Sequence, residues 1–195
     1  ITSAAAQNKV YDGTTAATIT GTLSGIVNGD VITLSGTGIF ASPNVGNGIA
    51  VTSTSTISGA NATSYALTQP TGLTANIQSP ALTITGLTGS NKVYDRTTAA
   101  TFTGTPLLNG VNPGDDVTLS GTPSASFATA TVGNGKTITV SGYTLTGAQA
   151  ANYTLTQPTL TGNITQKTLI VSGASANNKV YDRTTAATIS GATLV

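Results

Sequence analysis

Asn8-Lys9-Val10-Tyr11-Asp12-Gly13-Thr14-Thr15-Ala16-Ala17-Thr18 returns almost letter for letter at Asn91–Thr101 and again at Asn178–Thr188, with Arg96 and Arg183 in place of Gly13. The copies start 83 and then 87 residues apart. That is the length of a small domain, whereas solenoid coils and propeller blades repeat every ~20–50 residues. The chain therefore reads as a run of small tandem domains that begins inside one copy and stops inside another. A series of near-identical units points to a spacer or fibre before it points to an enzyme.

Other landmarks fall into register outward from that block. Leu82-Thr83-Ile84-Thr85-Gly86 opens the second copy and Leu169-Ile170-Val171-Ser172-Gly173 the third, while Ile1-Thr2-Ser3 stands in that place in the first. Asp30-Val31-Ile32-Thr33-Leu34-Ser35-Gly36 aligns with Asp116-Val117-Thr118-Leu119-Ser120-Gly121, and Val45-Gly46-Asn47-Gly48 with Val132-Gly133-Asn134-Gly135. Tyr65-Ala66-Leu67-Thr68-Gln69-Pro70 aligns with Tyr153-Thr154-Leu155-Thr156-Gln157-Pro158, and each complete copy ends on a strand, Leu73–Ile77 or Leu160–Ile164. The expected domains are residues 1–80, residues 81–166 and the start of a third at 167–195.

Composition selects the class. Threonine supplies 41 of the 195 residues, and charged residues only 7%, against about 25% in an ordinary soluble domain. Threonine is β-branched and favours strands, and it can face water where charge is missing. The helix formers glutamate and methionine are absent, and no apolar stripe of helical period runs beyond a turn or two. Alternation is clean in Thr137-Ile138-Thr139-Val140 and Thr154-Leu155-Thr156, one face apolar and one face threonine. About seven short strands per copy, separated by Gly, Asn, Pro and Asp, predict an all-β chain of small sandwiches. Copies of ~85 residues can each hold a modest core. The joints near Ser79-Pro80 and Gln166-Lys167 leave almost no linker, so the sandwiches are expected end to end in an extended rod.

A net charge of +1 with scattered basic residues offers nothing to nucleic acid or an acidic membrane surface. No apolar run approaches the ~20 residues of a membrane span. With no signal peptide and no initiator methionine, the sequence reads as internal to something longer. The absence of cysteine, together with low charge, fits an exported bacterial repeat protein that crosses membranes unfolded. Residues 167–195 are too few to close a sandwich and would leave unpaired edges. They belong to a longer fibre or, alternatively, complete a neighbouring molecule by strand donation.

The block Asn8–Thr18, with the later run Gly59-Ala60-Asn61-Ala62-Thr63-Ser64-Tyr65-Ala66-Leu67-Thr68-Gln69-Pro70, resembles the signature of the YDG repeat domain. Such repeats are similar to those of large bacterial surface adhesins and filamentous-haemagglutinin-like proteins. The resemblance covers nearly the whole chain. It implies an immunoglobulin-like β-sandwich stalk module of a secreted, cell-surface fibre, and it implies no known ligand and no catalytic residue. The change from Gly13 to arginine in the later copies argues against a strict need for a positive backbone torsion there.

Several residues invite chemistry. Lys9, Tyr11 and Asp12, with Lys92, Tyr94 and Asp95 and with Lys179, Tyr181 and Asp182, form the sharpest repeated polar set. Tyrosine and aspartate there would either contact a sugar or serve structure. In the second reading, which the residue types favour, the ring anchors a sheet edge and the carboxylate folds back on the next threonine as a turn. Asp30, Asp115 and Asp116 suggest calcium, which needs several hard oxygens. Each copy has only two or three carboxylates, and Asp30 follows the hairpin dipeptide Asn28-Gly29, so turn chemistry explains them better. No cofactor is expected, calcium being the one candidate. Lys9 with Asn76, and Lys92 with Asn163, match a first-strand lysine and last-strand asparagine that could close an isopeptide bond. That reaction needs a buried neutral acid, for which only Asp12 or Asp95 is near.

Thr52-Ser53-Thr54-Ser55-Thr56 invites comparison with ice-binding faces. Those need threonine ladders on consecutive short coils, so one strand with one wet face explains the run better. Asn61, Asn152 and Asn163 sit in glycosylation sequons, which matter only in a source that glycosylates them. Nucleophilic catalysis lacks His and Cys, and acid–base work would fall on scattered aspartates. The expected role is a non-enzymatic structural segment of an extracellular bacterial adhesin or filament. Its partners would be neighbouring repeats of the same chain or other copies in a filament. The alternatives are a carbohydrate- or ligand-binding adhesive module and a self-assembling matrix filament with strand exchange between chains.

Overall fold

Gly46–Ser53 and Leu73–Gln78 illustrate why this sequence makes sheets. Val51 and Ser53 are buried while Thr52 faces water, and Ala75 and Ile77 are buried while Thr74 and Gln78 face water. Small or β-branched apolar residues on every second position give each strand one dry face. The computed structural model describes residues 1–195 and is almost entirely β. Two single-turn 3₁₀ segments, Ala62–Ser64 and Ala150–Asn152, are its only helical elements, and none is long and apolar enough to cross a membrane.

The chain divides into two compact units. The first gathers Ile1–Leu87, Gly104–Ser124 and Val140–Pro158. Its six-stranded sheet runs in the order Thr2–Ala6, Ala16–Thr22, Thr37–Phe40, Gly46–Ser53, Leu73–Gln78, Lys9–Val10. All neighbours are antiparallel except the last pair, in which Lys9 lies parallel to the last strand opposite Ile77. Gly38 is buried beneath Ile19: a β-carbon there would lie 2.7 Å from Ile19 Cδ1 and 3.0 Å from the Thr52 carbonyl oxygen. Only glycine lets the strands close up at that point. The core of this unit unites Tyr11, Ile19, Phe40, Val51, Ala75, Ile77, Leu82 and Tyr153. A three-stranded sheet, Phe102–Asn109, Ala81–Gly89, Thr154–Thr156, supplies Leu82, parallel to and opposite Leu155, and Tyr153 immediately precedes its strand Thr154–Thr156.

The second unit gathers Thr88–Thr103, Ala125–Thr139 and Thr159–Val195. Lys92–Val93 again lies parallel to the closing strand of its copy, Thr159–Thr165, with Lys92 opposite Ile164. Its core is Phe127, Ile138 and Ile164, with Ala100, Ala125 and Leu160 packed against them. Residues 167–195 are exposed throughout and form two short antiparallel ladders, Val171–Ser172 with Thr193–Leu194 and Ser175–Ala176 with Ile189–Ser190.

One alignment and one expectation change. Asp30 corresponds to Asp115, not Asp116, because each accepts a hydrogen bond from the hydroxyl of the tyrosine that matches in its copy, Tyr65 or Tyr153. The arginines that replace Gly13 do not relax the backbone: φ is +75° at Gly13, +68° at Arg96 and +61° at Arg183. The left-handed turn survives substitution because the preceding aspartate ties down the amide that follows.

Candidate functional site

The repeated Lys-Val-Tyr-Asp block folds into a tight clasp. Lys9 Nζ donates to Asp12 Oδ1 at 2.7 Å and to the carbonyl oxygen and Oγ1 of Thr14 at 2.7 and 3.0 Å. Asp12 Oδ1 also accepts from the Thr14 amide and hydroxyl, both at 2.9 Å. Lys92, Asp95 and Thr97 repeat the arrangement, as do Lys179, Asp182 and Thr184. The Lys9 and Lys92 ammonium groups stand 5.6 and 5.8 Å from the ring centres of Phe40 and Phe127, a cation–π seat at the end of each core. The Lys92 hydrogen bond, then those of Thr97, hold the Asp95 carboxyl down at about 2. At Asp12 partial burial pushes upward, but the bonds from Lys9 and Thr14 outweigh it and the net shift is downward. The Lys179 and Thr184 bonds lower Asp182 likewise. This is a locked turn built on a stable anion.

Lys9 thus directs its three donors at Asp12 and Thr14, and the Asn76 side chain accepts from the Gly48 amide at 2.8 Å. Lys92 and Asn163 are engaged in the same way, Asn163 Oδ1 accepting from Gly135 at 2.8 Å. Lysine and asparagine lie on adjacent strands in both copies, but their side chains are not brought together for an isopeptide bond. The Asp12 and Asp95 side chains are about half exposed, 53% and 52%, rather than buried and neutral.

The carboxylates considered for calcium have other work. Tyr65 Oη donates to Asp30 Oδ2 at 2.6 Å and accepts from the Val27 amide at 2.9 Å. In the second copy Tyr153 Oη donates to Asp115 Oδ2 at 2.5 Å and accepts from the Asn112 amide at 3.0 Å. Asp116 accepts from the Ala148 amide. Burial, followed by the Asp115 hydrogen bond, raises the Tyr153 hydroxyl above its ordinary value.

The second tyrosine clasp also forms the joint between the first and second copies. Tyr11 and Tyr153 meet edge to face with ring centres 5.4 Å apart. Asn152 is buried: its Oδ1 accepts from the Val45 amide at 2.9 Å, and its Nδ2 donates to Asn44 Oδ1 at 3.2 Å. Asn112 Nδ2 donates to the Tyr11 carbonyl oxygen, and Ser79 Oγ to that of Asn152. The sequon asparagine Asn152 is therefore a structural residue. Only two residues, Ser79 and Pro80, separate the flanking strands, and the Pro80 carbonyl accepts from the Thr154 amide at 3.0 Å.

The signature tyrosines reach three different environments. Tyr11 is 5% exposed, Tyr94 36% and Tyr181 85%. Tyr94 borders a hollow of about 710 Å³ with Asp95, Arg96, Val132, Gln166, Lys167 and Leu169. The sequence marks Asn152 only as a sequon asparagine and marks none of Tyr65, Tyr153 and Asn112 as site residues. The available signal was the joint recurrence of Tyr65 and Tyr153 with an upstream aspartate.

Both signature blocks thus occur, with the same clasps, in each complete copy. The YDG domain family model matches residues 1–72 and again residues 78–161. This chain belongs to the YDG domain family. Its two matched YDG domains carry the Lys-Asp-Thr and Tyr-Asp clasps at corresponding positions. No curated protein and no solved structure matches the chain.

Proposed function

We propose that this chain is a structural segment of a secreted bacterial surface adhesin or extracellular filament. It would be built from tandem immunoglobulin-like sandwiches set end to end, with boundaries near residues 80 and 166. Each domain holds its shape through ladder hydrogen bonds and a small dry core, and the joint transmits force to the next. The role is mechanical: the segment projects or spaces whatever the parent protein carries.

The observation that supports this reading is the joint at Ser79-Pro80. Two residues link strand to strand, both are hydrogen-bonded into the second copy, and Tyr11 is covered by Tyr153. A buried aromatic pair flanked by satisfied amides resists bending far better than a polar linker would. Small-angle scattering of the 195-residue chain tests the proposal. A compact globule of this length has a radius of gyration of about 16 Å. The expected value lies clearly above that, with a rod-like cross-section, and a value near 16 Å would refute the end-to-end arrangement.

A further inference from the structure

Asn47-Gly48 and Asn134-Gly135 interrupt their strands in the same way. Gly46 lies opposite Ile77 and Ile49 opposite Ala75, so Asn47 and Gly48 together face the single residue Asn76. Gly133 opposite Ile164 and Lys136 opposite Gly162 likewise set Asn134 and Gly135 against Asn163. Gly48 and Gly135 are left-handed, at φ +61° and +58°. Two residues against one make a bulge, which leaves the extra backbone amide outside the ladder. The closing strand supplies the missing acceptor from a side chain. Asn76 Oδ1 takes the Gly48 amide and Asn163 Oδ1 the Gly135 amide, both at 2.8 Å. Asn76 and Asn163 are fixed in turn through their own amides, which donate to Asn8 Oδ1 and Asn91 Oδ1 at 2.7 Å. The first residue of the signature block therefore positions the residue that holds the bulge.

Asparagine followed by glycine is prone to cyclise, because the second residue has no side chain to hinder attack. The glycine amide nitrogen gives its proton to a solvent base and bonds to the asparagine Cγ. The Cγ–Nδ2 bond breaks and ammonia leaves. Water then opens the succinimide at either carbonyl, which gives aspartate or isoaspartate and adds one negative charge. The chain has four such dipeptides, beginning at Asn28, Asn47, Asn109 and Asn134. At Asn47 and Asn134 the attacking amide is the one that Asn76 or Asn163 holds, turned toward the closing strand. At Asn109 the carboxamide itself is held, its Nδ2 donating to Thr85 Oγ1 at 2.8 Å. Asn28-Gly29 has neither restraint. It is exposed in the turn Val27–Asp30, and the Gly29 amide donates to no protein acceptor. That openness belongs to the turn itself. Pro113-Gly114 takes the same place in the second copy, behind a complete domain, and is exposed too; nothing lies within 4 Å of a β-carbon built on Gly29 or Gly114.

We infer that Asn28 is the asparagine at which the folded chain deamidates, and that Asn76 and Asn163 are amide locks that keep Asn47 and Asn134 from doing so. Cyclisation at Asn47 must first break the hydrogen bond from Gly48 to Asn76 and turn that amide back toward its own side chain. A bond of ordinary net strength withholds about tenfold in rate. The placement also fits the consequence of failure. Isoaspartate at Asn47 or Asn134 would insert an extra backbone atom into a strand that pairs with the closing strand, whereas at Asn28 it falls between strands, outside every ladder. This chemistry is independent of the mechanical role proposed above, which would stand whichever asparagine reacts.

Incubating the full chain at mildly alkaline pH and mapping its peptides by mass reads each site as a gain of one mass unit. In the folded chain Asn28 should convert about tenfold faster than Asn47 or Asn134. In strong urea the three sites should convert at similar rates, since each is followed by glycine. Asn76→Ala should speed conversion at Asn47 about tenfold and leave Asn134 slow, and Asn163→Ala should do the reverse, so each variant carries its own folding control. Asn76→Asp keeps an oxygen acceptor and should keep Asn47 slow. Amide hydrogen exchange tests the locks on the unaltered chain even if Asn76→Ala fails to fold: the Gly48 and Gly135 amides should be protected and that of Gly29 should not. Equal rates at Asn28 and Asn47 in the folded chain, unprotected Gly48 and Gly135 amides, no acceleration at Asn47 in Asn76→Ala, or acceleration at Asn134 in that same variant would each overturn the inference.

Discussion

Replacing Leu82 by alanine removes three carbons from a side chain with no exposed surface. The transfer term is about 2.4 kcal/mol at ~0.8 kcal/mol per buried methylene. The cavity term depends on whether the neighbours collapse, and the first copy argues that they do not. There the equivalent apolar walls hold a groove of about 170 Å³ open. If roughly 70 Å³ survives around the shortened side chain, the cavity adds about 1.7 kcal/mol at ~24 cal/mol per Å³. The expected loss is therefore about 4 kcal/mol, near the upper end of leucine truncations. Urea unfolding followed by the near-ultraviolet signal of the buried tyrosines Tyr11, Tyr143 and Tyr153 measures it. Leu82→Met, which conserves volume, should cost less than about 1.5 kcal/mol. A loss below about 1 kcal/mol for Leu82→Ala, an ordinary surface-like value, would refute the claim that this leucine plugs the second copy.

Tyr153→Phe leaves Asp115 and the Asn112 amide without their hydroxyl partner and should cost about 1.5–3 kcal/mol by chemical denaturation; Tyr65→Phe, at the less covered clasp, should cost less. Arg96→Gly relieves a left-handed arginine worth about 1–2 kcal/mol, against an unfolded-state penalty of about 0.5–1 kcal/mol, so melting of dilute chain should rise slightly; a clear fall would show that the turn carries no strain. Stability against pH should be flat between roughly pH 5 and 9, where no side chain of ordinary pKa titrates in a protein without His, Cys or Glu. Below that plateau it should fall, because the Asp95 carboxyl, held at about 2 by Lys92, contributes stability present above its unfolded value of 3.8 and lost as pH drops through about 2. Above pH ~10 it should fall again, since buried Tyr11 and Tyr153 stay protonated in the fold while the unfolded chain releases its phenolic protons. Melting temperatures across a pH series check both arms, and a maximum inside the plateau would contradict them.

Strand content was legible because threonine alternates with valine, isoleucine and leucine, a period that depends only on local residue types. The copies were legible because Asn8–Thr18 recurs in order. What escaped was whatever depends on the next copy. Tyr11, Tyr94 and Tyr181 share one local sequence, yet their burial follows from whether a Tyr153 lies against the ring. The register of Asp30 is not fixed by the sequence alone, because Asp115-Asp116 offers two adjacent carboxylates and only the tyrosyl hydroxyl selects between them. The torsion at Arg96 does not follow from residue preference alone, because the Asp95 side chain accepts from the Thr97 amide at 2.8 Å and dictates the turn between.

A domain of ~85 residues buries a modest share of its surface and is marginal on its own. Here one core cluster draws Tyr11 through Ile77 from before the Ser79-Pro80 joint and Leu82 and Tyr153 from after it. Lengthening one apolar cluster across a two-residue joint supplies burial that a single copy lacks. Bending there would uncover Tyr11 and break the hydrogen bonds that the Asn152 side chain makes with Val45 and Asn44.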